Sequence, residues 1–323
     1  MKFNVMAILL VILCSLFSST FCRVISIDQH PTNYIMDKTN IDDILGQKSN
    51  NVGLKENGHT IKDFDPSPVP KPIITDHCLA VVQTRANDAK RFFGTQAAIT
   101  LYKPEVRPKQ WSSARMKLSN GGDSIEAGWM VNPDLFKDNE AHLYTKYIAG
   151  GKECINTFCP GFTVVDTRVP LGYIPKTYSQ VNGDQWVWNI TIKKHQDDGN
   201  WWLSAITRNA GEIGIGYWPK SLFSSPLAEV ANQVQWGGEI SNPEKSYRQP
   251  EMGSGLVGDY NTKHSAYFQQ VTIVNESFQS GHPVDTEKNA DCFPYYITRD
   301  RGSHDDDDPN WGRVIFFGGT RLE

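Results

Sequence analysis

From residue 79 onward the chain runs in short segments where apolar and polar residues alternate with a period of two. Gly, Asn, Asp or Pro separates one segment from the next. Nine segments carry the β-branched and aromatic enrichment of strands: Leu79–Thr84, Thr95–Tyr102, Ile125–Val131, Leu143–Ile148, Gln185–Lys193, Trp201–Thr207, Val234–Ile240, Ala266–Val274 and Arg313–Phe317. In Trp186-Val-Trp-Asn-Ile-Thr-Ile192 both tryptophans and both isoleucines fall on one face. Asp197-Asp-Gly-Asn200 then predicts a hairpin turn into Trp201. No stretch holds a helical period for long, although Pro219–Phe223 fits one helical turn, and no 20–50-residue repeat is visible. Many strands without helices predict an all-β chain, either an antiparallel double-sheet β-sandwich or a barrel.

The pattern breaks down before residue 76. Lys2 is followed by a thirteen-residue apolar run, Val5–Phe17, and then by Ser18, Ser19 and Thr20. That layout predicts a secretory signal peptide over 1–22, cut near Cys22–Arg23. The run is too short for a membrane span. Residues 23–75 are polar and aperiodic, and end in Asp65-Pro-Ser-Pro-Val-Pro-Lys-Pro72. Prolines at alternate positions make a stiff, extended connection that cannot enter a sheet interior. The expected organisation is therefore a signal peptide (1–22), a leader or pro-segment (23–75) and a folded domain (76–323). The expected location is extracellular, with the vacuole as alternative.

Composition narrows the function. There are 32 Lys and Arg against 36 Asp and Glu, a net charge of −4 that becomes −5 once Lys2 leaves with the signal. No basic face is available for phosphates, which excludes nucleic acid as the expected partner. The acidic run Asp305–Asp308 lacks the spaced ligands and turn glycine of a calcium loop, so it reads as a solvated turn. Cys78, Cys154, Cys159 and Cys292 remain after signal removal. In an oxidising compartment they suggest two disulfides, with Cys154 and Cys159 close enough to pair across a tight loop. No second Cys or His pair has zinc-ligand spacing, so neither metal nor cofactor is expected. Asn189 and Asn275 begin N-glycan acceptor triplets.

Nucleophile elbows, zinc-protease helices and phosphate loops are absent, and the eight histidines sit in no catalytic context. What remains are two carboxylates inside strand patterns. In Ile125–Val131, Ile125, Ala127, Trp129 and Val131 share one face and Glu126 takes the other, beside Gly128. In Val234–Ile240, Val234, Trp236, Gly238 and Ile240 share one face, and Glu239 lies opposite with Gln235 and Gly237. Glycine inside a strand marks close approach by a ligand or by another backbone. The two acids could therefore line one floor, with Gly128 and Gly237 at the substrate and Gln235 orienting water or an oxyanion. The plainer alternative is two solvated glutamates. Trp129 and Trp236, on the apolar face, are expected in the core rather than at the substrate.

Several motifs then occur in order: Ser124-Ile-Glu-Ala-Gly-Trp-Met-Val-Asn-Pro133, Cys154-x4-Cys159-Pro-Gly-Phe162, Gly199-Asn-Trp-Trp-Leu203, Ile215-Gly-Tyr-Trp-Pro219, Val234-Gln-Trp-Gly-Gly-Glu-Ile240 and Gln249-Pro-Glu-Met-Gly-Ser-Gly255. Over residues 77–319 the chain resembles the neprosin family of plant secreted peptidases. The resemblance implies a glutamic peptidase-like β-sandwich that cleaves after proline and acts as a monomer on proline-rich peptides. It makes Glu126 and Glu239 the catalytic pair, meeting closely enough to share a proton, and it suggests self-processing within Pro66–Pro72. The family's cysteine-containing activation segment is not found in 23–75. Its further C-terminal cysteine is also missing, which leaves Cys292 either to pair with Cys78 or free along with it. Rival readings are a two-carboxylate glycoside hydrolase, a glycan-binding module and an inactive family member.

Overall fold

The computed structural model describes residues 46–49 and 76–320, except 88, 208–209, 247 and 303–310. The signal and the Pro66–Pro72 connection lie outside the described residues, as does the acidic run at 305–308. The strands in chain order are β1 (Gln47–Lys48), β2 (His77–Thr84), β3 (Gly94–Thr100), β4 (Trp111–Asn120), β5 (Asp123–Val131) and β6 (His142–Ala149). Next come β7 (Lys152–Ile155), β8 (Thr163–Val164), β9 (Trp186–Lys194), β10 (Trp201–Thr207), β11 (Gly211–Trp218) and β12 (Gln233–Ser241). The last are β13 (Ala266–Val274), β14 (Ser280–Gly281), β15 (Thr286–Ala290), β16 (Tyr296–Asp300) and β17 (Ile315–Gly319). One sheet runs β16-β17-β13-β3-β9-β10-β11-β8, with β1 added on β9 and β14 on β13. The other runs β15-β2-β12-β4-β5-β6-β7, and the pairings in both are antiparallel.

The expected double-sheet sandwich is what the chain forms. Trp129, Trp188, Trp201, Trp218 and Trp236 are all buried in the core. Burying each large side chain contributes on the order of 2–3 kcal/mol, so these aromatics dominate the cohesion of the sheets. Two of them also stitch the sheets together. The indole N–H of Trp129 on β5 donates to the Thr100 carbonyl at 2.8 Å, and that of Trp236 on β12 donates to Thr95 Oγ1 at 2.8 Å. Each such bond adds only about 1 kcal/mol net. They set the orientation of β5 and β12, and so turn the opposite residues of both strands to the far face.

The predicted turn after β9 is present, with Trp201 facing Lys194 across the hairpin, and Pro219–Phe223 contains one 3-10 turn, Lys220–Leu222. Several strands escape the pattern, and β4 matters most. Ala114, Met116 and Leu118 do alternate inward there. However, Ser, Ala, Arg and Lys are weak strand formers, so composition hid the period. Gln47 and Lys48 pair with Val187 and Trp186, although the sequence places them in the leader. Buried Ser49 donates its N–H to the Gln185 carbonyl at 2.7 Å and lies 3.0 Å from Tyr267 Oη. A two-residue polar strand has no periodicity to read.

Candidate active site

Register assembles the site. On the face of β12, β4 and β5 turned away from the sandwich core, Glu239 lies opposite Ser113, Gly237 opposite Arg115 and Gln235 opposite Lys117. Across the other side of β4, Arg115 faces Gly128 and Lys117 faces Glu126. The two glutamates thus occupy diagonal corners of a block of residues whose centre is Arg115, flanked on both sides by glycine. Tyr144 and Lys146 on β6 extend the same face, opposite Gly128 and Glu126.

The side chains close over the centre. Arg115 Nε donates to Glu239 Oε2 at 2.9 Å and lies 3.6 Å from Glu126 Oε2. Both Oε2 atoms are therefore within about 6.5 Å of one another. Tyr144 Oη donates to Glu126 Oε1 at 2.9 Å, and Lys117 Nζ stands 3.9 Å from Glu126 Oε2. His77 Nε2 is 2.7 Å from Glu239 Oε1. Glu126 is 2% exposed, Glu239 9% and Arg115 1%, which overturns the solvated-surface alternative for both acids. It also revises the expected contact between them. Among the described residues no hydrogen bond joins the carboxylates directly, because the guanidinium stands between.

Electrostatics favours the ionised form of Glu239. Burial works against ionisation of Glu239, but the Arg115 charge and the His77 hydrogen bond outweigh it, holding this carboxyl well below its usual range. The hydrogen bond to Glu239 in turn raises His77 against its partial burial. Burial and the Arg115 charge lower Lys117, while burial and Glu126 push the Tyr144 phenol far up, so that it stays a donor. Arg115 is itself raised by both glutamates despite complete burial.

The remaining expected residues are placed differently. A Cβ on Gly128 would lie 1.9 Å from the Ala114 carbonyl oxygen, and one on Gly237 would lie 2.2 Å from that of Ala80. Of the two meanings of a strand glycine, close approach of another backbone is the one realised; neither glycine leaves a gap for substrate. Gln235 Nε2 donates to Gln83 Oε1 at 2.9 Å, so its amide is engaged at the strand edge rather than at Glu239.

The neprosin family model matches residues 108–320. The chain belongs to the neprosin family. That membership fits the placement of both motif glutamates on one buried face. Structures of Scytalido-glutamic peptidase with a peptide-based and with another transition state analog are similar at TM-scores of 0.41 and 0.40. Identity is 8% in each, over 76% of this chain and 98% of the other. The same identity and coverage, with a TM-score of 0.40, hold for SCP-B of the Eqolisin family of peptidases, in complex with the tripeptide Ala-Ile-His.

Both disulfides of this neprosin-family chain form. Cys154 pairs with Cys159, Cα atoms 6.1 Å apart, and Cys78 pairs with Cys292 at 5.7 Å. Asn275 is exposed in a turn, as an acceptor of glycan should be. Asn189 is buried instead: it sits in β9 at 8% exposure, with its Oδ1 accepting from Gln96 Nε2. Among the described residues no helix is long and apolar enough to cross a membrane.

Sequence reasoning missed Arg115, Tyr144 and His77. Arg115 could have been found by extending alternation into weak strand formers, and Tyr144 already lay in the expected strand Leu143–Ile148. His77 had no local signal, since only the pairing of β2 with β12 brings it to Glu239. Its raised pKa and the lowered one of Glu239 have opposite signs in stability. The His77 contribution is complete below its ordinary 6.5 and is lost as pH rises through the raised value. That of Glu239 is complete above 4.5 and is lost as pH falls through the lowered one. Replacing His77 by Gln should therefore lower the melting temperature more at pH 5.5 than at pH 9. Equal losses at both values would remove the ion pair as the cause.

Proposed function

We propose that this protein is a secreted acid endopeptidase that cleaves after proline, with Glu239 as general base and Glu126 as general acid. The observation that carries the reading is the buried arrangement of two carboxylates about one guanidinium in a neprosin-family chain. Peptide hydrolysis needs an ionised carboxylate to take a proton from water and a protonated one to give a proton to the leaving amine. Glu239, held ionised by Arg115 and His77, suits the first role. Glu126 suits the second. Tyr144 occupies its Oε1, while buried Oε2 has no hydrogen-bond partner and is the oxygen on which a proton can sit. A pair that needs one carboxylic acid and one carboxylate works in acid solution, so activity is expected to fall as pH rises. Two disulfides support export to an oxidising compartment.

The test is cleavage of a proline-containing peptide and its proline-to-alanine counterpart between pH 2.5 and 7, with products identified by mass. Cuts on the carboxyl side of proline that fade towards neutrality are expected. Indifference to the proline would defeat the specificity, and no cleavage at any pH would defeat the peptidase reading.

A further inference from the structure

The guanidinium between the glutamates has a donor to spare. Arg115 Nε is engaged by Glu239, yet its Nη1 is buried without any hydrogen-bond partner. The facing Glu126 Oε2, 3.6 Å from Nε, and Ser113 Oγ, opposite Glu239, are buried there without one as well. Leaving a buried donor unpaired is costly, more so for a charged group, and such a group in a native fold calls for a reason. Folding alone does not ask for an arginine here either. A buried ion cluster is often matched or exceeded in stability by apolar residues of equal volume. Gly237 and Gly128 are its register partners on the two neighbouring strands. A fixed, desolvated N–H beside a base and an acid is what a developing oxyanion requires.

We propose that Arg115 is a further catalytic residue, whose Nη1–H donates to the oxygen of the scissile carbonyl. This rests on the peptidase reading above. As water attacks the carbonyl carbon, its proton passes to the Glu239 carboxylate and the C=O π pair moves onto oxygen, where the guanidinium meets the new negative charge. When the C=O bond re-forms, the C–N bond breaks, and nitrogen keeps that electron pair and takes the Glu126 proton. The products are a carboxylic acid and an amine. Transfer of a proton from Glu239 to Glu126 restores the starting state. Arg115 would thus perform two tasks, keeping Glu239 ionised and stabilising the tetrahedral intermediate.

The test compares wild type, Arg115→Lys and Arg115→Gln in kcat and KM across pH on the proline peptide. It also measures their affinity for a phosphinate peptide, whose tetrahedral anionic centre imitates the intermediate. Both variants should lose on the order of 10²–10³ in kcat with KM changed only a few-fold, the scale for removing one oxyanion donor. Phosphinate affinity should fall alongside kcat. Arg115→Gln should in addition move the acid limb of kcat/KM to higher pH, since Glu239 loses its cation. Arg115→Lys, which retains a charge between the carboxylates, should leave that limb near its place. Should Arg115→Gln not fold, Arg115→Lys decides. A variant that keeps kcat, or loses it without losing phosphinate affinity, overturns the proposal. An inactive wild type instead overturns the peptidase reading beneath it.

Discussion

Glu239→Gln is expected to reduce kcat on a proline-containing peptide by about 10³-fold at the pH optimum, within the 10²–10⁴ that positioned acid–base groups contribute. The substitution keeps the shape of the side chain and an oxygen able to accept from Arg115, but it removes the atom pair that can bind a proton from water. The replaced side chain still offers Arg115 an acceptor and Glu126 Oε2 lies 3.6 Å away, so the sheet should persist. KM should move only a few-fold, because the lost interaction belongs to the transition state. Glu126→Gln should be comparably impaired, through loss of the proton for the leaving amine. Steady-state kinetics on samples shown to be folded by their melting curves provide the check. A Glu239→Gln enzyme within tenfold of wild type would end the assignment of this residue as base.

The second large effect concerns the covalent frame around the site. Cys78 and Cys292 lie 214 residues apart in the chain, Cys154 and Cys159 only 5. If disulfides act by restricting the unfolded chain, the long loop is worth about 5 kcal/mol and the short one about 2. The Cys78→Ala/Cys292→Ala double variant should therefore be the less stable of the two disulfide deletions, with a clearly lower urea midpoint. It should lose more than stability. Cys78 follows His77, whose ring holds Glu239 Oε1, and adjacent Leu79 donates its N–H to Asp291 Oδ1 at 2.6 Å. Freeing this edge loosens the His77 contact, so kcat should drop in the folded protein too. Equal urea midpoints for both deletions would show that chain entropy does not govern these bonds.

The chain shows how far alternation reaches. Trp129 and Trp236 were legible as core because each lies in a run whose apolar residues recur every second position, and both are fully buried. Glu126 and Glu239 were legible as facing the other way for the same reason. The expectation that they touch failed for an equally simple one: the strand between them was not recognised. In β4 the inward Ala114, Met116 and Leu118 keep the period, but the outward Ser113, Arg115 and Lys117 resemble a solvated loop. A buried arginine is so uncommon that sequence reasoning places it outside. Only the register of β12, β4 and β5 shows that two carboxylates make its burial possible.

The amino-acid sequence by itself determined the all-β class, the inward tryptophans, the strand faces of both glutamates and the membership signalled by ordered motifs. Each of these depends on residues near one another in the chain. The tertiary structure alone decided that β4 runs between the glutamate strands, that Arg115 meets both acids, and that His77 caps Glu239. It also decided that Cys78 finds Cys292. These depend on which strands become neighbours, and hydrogen bonding between backbones is indifferent to that choice. The order is selected by burial of the whole core at once, a quantity no local window contains.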